Sequence, residues 1–409
     1  MYDKVQLEPI HQPIPKVKVI ISDFGVFSLI NAVIAFLFAA SAPVAIILEV
    51  GVKGGLSEAE MSSWIFAAFV LNGILGILLS IIYRQPLVFF WTISGTVLVG
   101  PALEHLSFQE VIGAFYGTGV LLLILGVSGW VKKVMAILPM PIIMGMVAGV
   151  FINFAISWIK SLTENPMIAV PMTLIFVVLS LNSRLSKNFP PMIGVLIVGL
   201  ISVHLFSGLE KLQLESPSIV IPKIFVPEWS MSAILELVVP LTITVLAAQN
   251  AQGIAVLRSR EHNPPINSIT TACGFMSLIT AIFGSVSTCL TGPVNAILSS
   301  SGEKSRQYSS AIVICVLAII FGLFSPFFTE LMLKMPSAFI ATLAGLALIR
   351  VLQTSFSISF SGRFTFGALI SFLVTVADQP ILSIGAPFWG LVFGFLTAWL
   401  LEKKDFLDS

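Results

Sequence analysis

The sequence predicts an all-α polytopic membrane protein. It has fourteen transmembrane segments in two inverted seven-span repeats, with spans 3 and 10 short and each pairing an extended stretch with a half-helix. Three observations predict it. Of 409 residues, 57% are hydrophobic and only 10% charged, where a soluble domain carries about 25% charge, and mean hydropathy is +1.02. Apolar runs recur from end to end at about the 20 residues needed to cross a hydrocarbon core of roughly 30 Å. Short stretches half a chain apart resemble one another at one fixed offset.

Taken in order, the apolar segments are 24–49, 62–82, 87–103, 109–130, 138–159, 166–181, 190–206, 231–257, 265–282, 286–300, 309–329, 336–351, 364–379 and 383–401. The third and tenth are short and interrupted by Gly and Pro, and the sixth is also short. The polar start, Met1 to Lys18, carries no short apolar stretch followed by a small-residue cleavage site, so no cleavable signal peptide is expected. With the N-terminus in the cytoplasm, alternation places sixteen of the 21 Lys and Arg inside and five outside. That asymmetry is what membrane insertion produces, and it places both termini inside.

The repeat is read from three features. Leu138-Pro139-Met140-Pro141 opens span 5 and leads to Gly149; Met335-Pro336-Ser337 opens span 12 and leads to Gly345. Gly126 and Gly322 close the preceding spans at nearly the same distance. The offset from Pro139 to Pro336 is 197 residues, and the same offset carries Gly95 onto Gly292. Seven spans, an odd number, separate the partners, so the halves face opposite ways. Paired broken helices in inverted repeats point to a transporter with a midplane site.

Span 3 reads Phe89-Phe90-Trp91-Thr92-Ile93-Ser94-Gly95, and span 10 reads Ser287-Thr288-Cys289-Leu290-Thr291-Gly292-Pro293. In each, β-favouring and hydroxyl residues precede a Gly at which a helix can start, and Pro293 suits a first helical turn. Extended backbone at membrane depth requires burial in protein or a cavity. Two half-helix N-termini would turn free N–H groups on one space, which is a site for an anion. The competing reading is Gly/Ser packing between helices. Span 8 holds Gln249-Asn250-Ala251-Gln252, amides costly at this depth and able to donate to an anion; interhelical hydrogen bonding is the alternative. The expected substrate-binding residues are therefore Gln249, Asn250, Thr92, Ser94, Gly95, Ser287, Thr288, Thr291, Gly292, Trp91 and Ser41, the last beside the Pro43 break in span 1. Trp91 serves either to stack on a ring or to pack.

Other polar residues read as structural. Asn31, Asn72 and Asn153 are single amides; Arg84 is an interface anchor or an anion guide; Asp378 is a solvated outer residue; the four histidines suggest no proton relay. Cys273, Cys289 and Cys315 lack disulfide or metal spacing and read as small buried hydrophobes. No catalytic motif, metal cluster or nucleotide loop is present, so neither enzyme, cofactor nor primary pump is expected. By span assignment the site contains no Lys or Arg, and Glu49, Glu104 and Glu236 fall toward outer ends. Any proton carried with the substrate would then travel either on an outer acid such as Glu49 or Glu236 or on the substrate itself; the second route is favoured.

At these residues the chain resembles the benzoate:proton symporter (BenE) family. The matching stretches are Gly55-Leu56-Ser57 with Ser63-Trp64-Ile65-Phe66-Ala67-Ala68, Tyr83-Arg84-Gln85-Pro86, Trp91-Thr92, Gln249 through Arg258, and Ile384-Gly385-Ala386-Pro387-Phe388-Trp389-Gly390-Leu391. The resemblance implies the uracil-permease-like fold of seven plus seven spans. Core spans 1–4 and 8–11 occupy residues 1–130 and 231–330; gate spans 5–7 and 12–14 occupy 131–230 and 331–409. It implies a multi-pass protein of the cytoplasmic (inner) membrane that imports an aromatic carboxylate with protons, a homodimer being a candidate assembly. The departures are Gln249, where nucleobase carriers of this fold hold a Glu, and Asp378-Gln379-Pro380 before the last span. Another small anion, or a passive channel, is the alternative. Net charge of +1 implies no nucleic-acid partner.

Overall fold

The computed structural model describes residues 7–10, 13–40, 42–131, 139–181, 191–207, 216–300, 303–379, 381 and 386–407. Helices dominate. α1 consists of Val26–Ala40 and Ala42–Lys53. It is followed by α2 (Glu58–Tyr83), β1 (Phe89–Trp91), α3 (Ile93–Ala102), α4 (Phe108–Ser128), α5 (Met140–Glu164), α6 (Pro166–Leu181) and α7 (Pro191–Ser207). The second half runs α8 (Met231–Ser259), α9 (Ile266–Ala281), β2 (Thr288–Leu290), α10 (Gly292–Leu298), α11 (Gln307–Leu323), α12 (Ser337–Phe360), α13 (Thr365–Ala377) and α14 (Ala386–Leu401). Among the described residues seven helices are long and apolar enough to cross a membrane, and six more apolar helices are shorter.

Three short helices were not foreseen: Val17–Asp23 in the polar N-terminal stretch, Lys403–Leu407 at the C-terminal end, and Ser325–Leu333. The last lies where the apolar run 309–329 reads as one span; the chain breaks at Phe324, and Ser325-Pro326 restarts it with Pro in the first turn.

Helix contacts are set by small residues. On α4, Gly126 lies so close to α9 that an added Cβ would stand 2.5 Å from the Thr271 N. On α5, Gly149 meets Thr375 of α13, and on α12 Gly345 meets the Phe154 carbonyl and the Trp158 side chain of α5. Apolar surface gains nothing by leaving lipid, so membrane helices bind through such backbone approaches. The glycines that mark the sequence repeat are therefore close-packing points. α5 packs on α12 and α13, α4 on α9, and α11 on α1 and α2.

Candidate functional site

β1 and β2 cross antiparallel, with Phe89 opposite Leu290, Phe90 opposite Cys289 and Trp91 opposite Thr288. The ladder extends through Thr92 N to the Ser287 carbonyl (3.0 Å) and Thr291 N to the Val88 carbonyl (3.1 Å). All six strand residues are buried. A two-stranded ladder leaves outer edges unpaired, and unpaired buried backbone is expensive. Polar side chains from surrounding helices fill those positions. Asn295 Oδ1 accepts from Val88 N at 3.0 Å, and Ser277 Oγ accepts from Thr288 N at 2.9 Å. Ser80 Oγ accepts from Leu87 N at 3.1 Å, and Asn250 Oδ1 accepts from Leu290 N at 2.8 Å. Each strand runs directly into a helix: Thr92 caps α3 by accepting from Gly95 N (3.1 Å), and Thr291 precedes α10. Strand to strand the two units lie 199 residues apart. The 197-residue offset therefore misaligns them by two positions, because Pro139 and Pro336 lie outside these units.

α8 is not a regular α-helix. It widens to π-helical turns at Ile234–Val238 and Thr244–Asn250. Such bulges are frequent at functional sites because they rotate the following side chains off the regular helical stripe. Here the second one ends on the amide pair. Gln249 faces open space, while Asn250, 2% exposed, faces α9 and β2, where Cys273 Sγ and Leu290 N surround its amide.

A cavity of about 620 Å³ lies between α1, α3, α8 and α10 on one side and α5, α6 and α12 on the other. Its inner end holds Ile93, Ser94, Gln249, Gln252 and Pro293; its walls include Phe38, Phe151 and Phe176. Arg350 and Thr354 lie along the α12 wall. A second pocket of only about 30 Å³ continues from Phe38, Ile93, Gln249 and Pro293 to Phe90, Trp91 and Thr291. On the opposite side of α3 a narrow space of about 90 Å³ holds Lys53, Glu104 and Asp378. The large cavity is within the usual size of small-molecule sites.

Of the residues singled out from sequence, Ser94 and Gln249 line the large cavity, and Trp91, Thr291 and Gln249 line the small one. Trp91 is 2% exposed and its indole Nε1 is buried without a partner; Ser287 Oγ is likewise buried and unpartnered. Four have hydroxyl or amide groups committed within the fold, Thr291 among them. Thr92 caps α3, Thr288 donates to Asn72 Oδ1 at 2.7 Å, Thr291 donates to the Val88 carbonyl at 3.1 Å, and Asn250 holds β2. Gly95 and Gly292 serve close packing, an added Cβ falling within 2.3 Å of Thr92 and 2.6 Å of Gln252 respectively. Ser41 lies outside the described residues.

Two expectations are corrected. Arg350 lines the cavity, although span assignment placed no basic residue there; α12 runs to Phe360, so the residue falls inside the helix rather than at its end. Asp378 is not freely solvated but shares the narrow space with Lys53 and Glu104. A contact not foreseen joins His105 to a buried acid, its Nε2 lying 3.0 Å from Glu236 Oε2. Gln252, part of the amide block, faces the cavity beside Gly292; its spacing of three from Gln249 puts both on one helical face, a signal legible in sequence. Arg84 points to Asp23 (3.9 Å) and over the Tyr308 ring.

The family model described as Benzoate membrane transport protein (BenE) matches residues 22–400. The chain is 27% identical to the Benzoate membrane transport protein of Acinetobacter baylyi over 94% of this chain and 98% of that one. It is 26% identical to the Inner membrane protein YdcO of Escherichia coli, over 90% and 94% respectively. Among solved structures it resembles the transmembrane domain of a cyanobacterial bicarbonate transporter, BicA (TM-score 0.59, 15% identity, 90% of this chain and 97% of that one). It also resembles SLC26A9 (TM-score 0.64, 14% identity, 94% and 66%) and the inward-facing murine Slc26a9 anion transporter (TM-score 0.62, 13% identity, 96% and 73%). These likenesses establish a shared fold.

Proposed function

This chain belongs to the benzoate membrane transport protein family, and we propose that it imports an aromatic carboxylate of the benzoate type together with protons. The observation that carries the anion is the cavity's charge. Among its described lining residues Arg350 is the one charged group, and Ser94, Gln249 and Gln252 add neutral donors. A carboxylate set against Ile93 and Ser94 meets the N-terminal N–H groups of α3, where the helix dipole favours negative charge. The buried, unpartnered indole N–H of Trp91 beside that position is a donor awaiting an acceptor. Phe38, Phe151 and Phe176 supply apolar contact for a ring.

The fourteen segments read as two inverted seven-span repeats, both termini in the cytoplasm of an inner membrane. α1–α4 and α8–α11 form a core, and α5–α7 and α12–α14 form a gate. Support comes from the two strand–helix units and from the packing of α5 on α12 and α13. On this reading the 620 Å³ cavity, with Arg350 and Ser180 on its walls, opens inward, and the 90 Å³ space is the closed outer seam. No acid lines the large cavity among the described residues. Glu49 pairs with Lys53 and Glu236 with His105. The proton therefore enters on the substrate's own carboxylate.

The test is accumulation of labelled benzoate by proteoliposomes under an imposed proton gradient. Uptake is expected to saturate, to rise with the inward proton gradient, and to survive Glu49→Gln and Glu236→Gln. Accumulation that persists after the gradient is collapsed refutes coupling. A second reading, transport of a small inorganic anion, is favoured by the deep pocket of about 30 Å³, the space of roughly one water. Competition by bicarbonate stronger than by benzoate selects it, and downhill flux that never accumulates selects a channel.

A further inference from the structure

A second groove, of about 380 Å³, lies on α8 and α9, on the other side of Ala251 from the substrate cavity. Val131 just past α4, Leu246, Ile254 and Ala255 of α8, and Ile266 and Thr270 of α9 line it, and Arg258 is its one charged lining residue among those described. From Leu246 to Arg258 the α8 axis rises about 18 Å at ~1.5 Å per residue, and one leaflet's hydrocarbon is about 15 Å deep. The groove therefore runs from mid-membrane to the surface, ending on a guanidinium. Arg258 has no ion pair among the described residues. An apolar channel one acyl chain long, closed by unpaired positive charge on the inner side, fits an anionic phospholipid. We infer that the α4/α8/α9 groove binds one phospholipid with a net negative headgroup, its chain along Leu246 to Ile254 and its phosphate at Arg258.

The floor of the groove gives this site a consequence. Asn250 lines it and, through the same side chain, accepts from Leu290 N of β2. A chain in the groove packs against the residue that holds one of the two site strands, so occupancy firms the strand that carries Thr291 and the start of α10.

Native mass spectrometry of the full chain, exchanged into mixed micelles of phosphatidylglycerol or phosphatidylcholine, tests it. One phosphatidylglycerol is expected to be retained in preference to phosphatidylcholine. One basic residue near the surface contributes about a fivefold affinity change, so Arg258→Gln is expected to lower retention about fivefold. Ala255→Trp, which fills the groove without touching the charge, is expected to abolish it; Ala255 is exposed, so this variant keeps the test independent of folding. Equal retention of the two lipids, or unchanged retention in Ala255→Trp, overturns the proposal. So does thermal stabilisation by inorganic phosphate alone that matches the lipid's, since it would mean a headgroup site without a chain.

Discussion

Gln249 and Asn250 are sequence neighbours of one chemical class, and the structure assigns them opposite work. Truncating Asn250 to Ala removes the acceptor of Leu290 N, at 2.8 Å and in a position 2% exposed. A buried donor left without a partner costs about 1–3 kcal/mol, and the vacated amide volume adds a cavity term. The loss falls on folding, because β2 is held by that bond in bound and empty protein alike. Truncating Gln249 removes no bond among the described residues, so stability is expected to change by less than about 0.5 kcal/mol. Its loss appears in binding. One hydrogen bond to a charged ligand is worth about 1.5–3 kcal/mol, or roughly 10- to 150-fold in Kd. Denaturation in detergent read beside titration calorimetry with benzoate separates the two. Asn250→Ala with full stability and weakened binding, or Gln249→Ala with the reverse, would refute the assignment.

Four further outcomes are expected. Arg350→Gln should weaken carboxylate binding two- to fivefold, an effect that shrinks at high salt because this arginine is exposed; a salt-independent loss contradicts a charge role. Asn295→Ala should destabilise the protein by about 1–3 kcal/mol, since Val88 N loses its acceptor; unfolding midpoints read it. Gly149→Leu should prevent correct folding, an added Cβ falling 2.7 Å from Thr375; a monodisperse, active variant speaks against the α5–α13 contact. His262, in the loop between α8 and α9, is buried with its Nε2 2.7 Å from Gln307 Oε1, and burial holds its pKa below the usual 6.5. A base whose folded pKa is depressed stabilises above its unfolded pKa, and that contribution declines as pH falls through about 6.5 toward the folded value. His262→Gln should flatten that part of the stability profile.

Much of the architecture was legible because lipid imposes it. Apolar length marks crossings, and α6, read as 166–181, is a helix over those residues. The breaks in spans 3 and 10 were legible because Gly, Pro and hydroxyl residues inside an apolar run have few other uses. What sequence did not reveal is direction. Thr92 and Thr288 belong to the right segments, yet their hydroxyls serve a cap and Asn72. Which face a hydroxyl takes depends on strand register, and register depends on residues some 200 positions away. The π-helical turns of α8 carry no compositional mark, and they turn Gln249 toward the cavity and Asn250 away. Arg350 was misplaced because α12 continues through Gln353, Thr354 and Ser355, polar residues that read as a helix end.

The donors left after the fold has taken its share define what the site can hold. Extended backbone at this depth needs acceptors and donors at its edges, and Asn72, Ser80, Asn250, Ser277 and Asn295 are committed there or to the adjoining hydroxyls. None of these can serve a ligand without opening the strands. The groups with no such duty are the Gln249 and Gln252 amides, Ser94, and the buried Trp91 N–H and Ser287 hydroxyl. Three of these five line the large cavity, Trp91 the small one, and Ser287 neighbours Trp91 across the strand pair. Every one can donate a hydrogen bond and none of the five carries charge; with Arg350 on the α12 wall as the cavity's one charged lining residue among those described, the site suits a ligand that brings acceptors and its own negative charge. A carboxylate meets that description; a nucleobase, which needs both donors and acceptors along one edge, does so less well where Gln249 stands in place of an acid. The same inventory bears on the coupling proposed above: with no acid lining the large cavity among the described residues, a proton that crossed with the ligand would reside on the ligand's own oxygen.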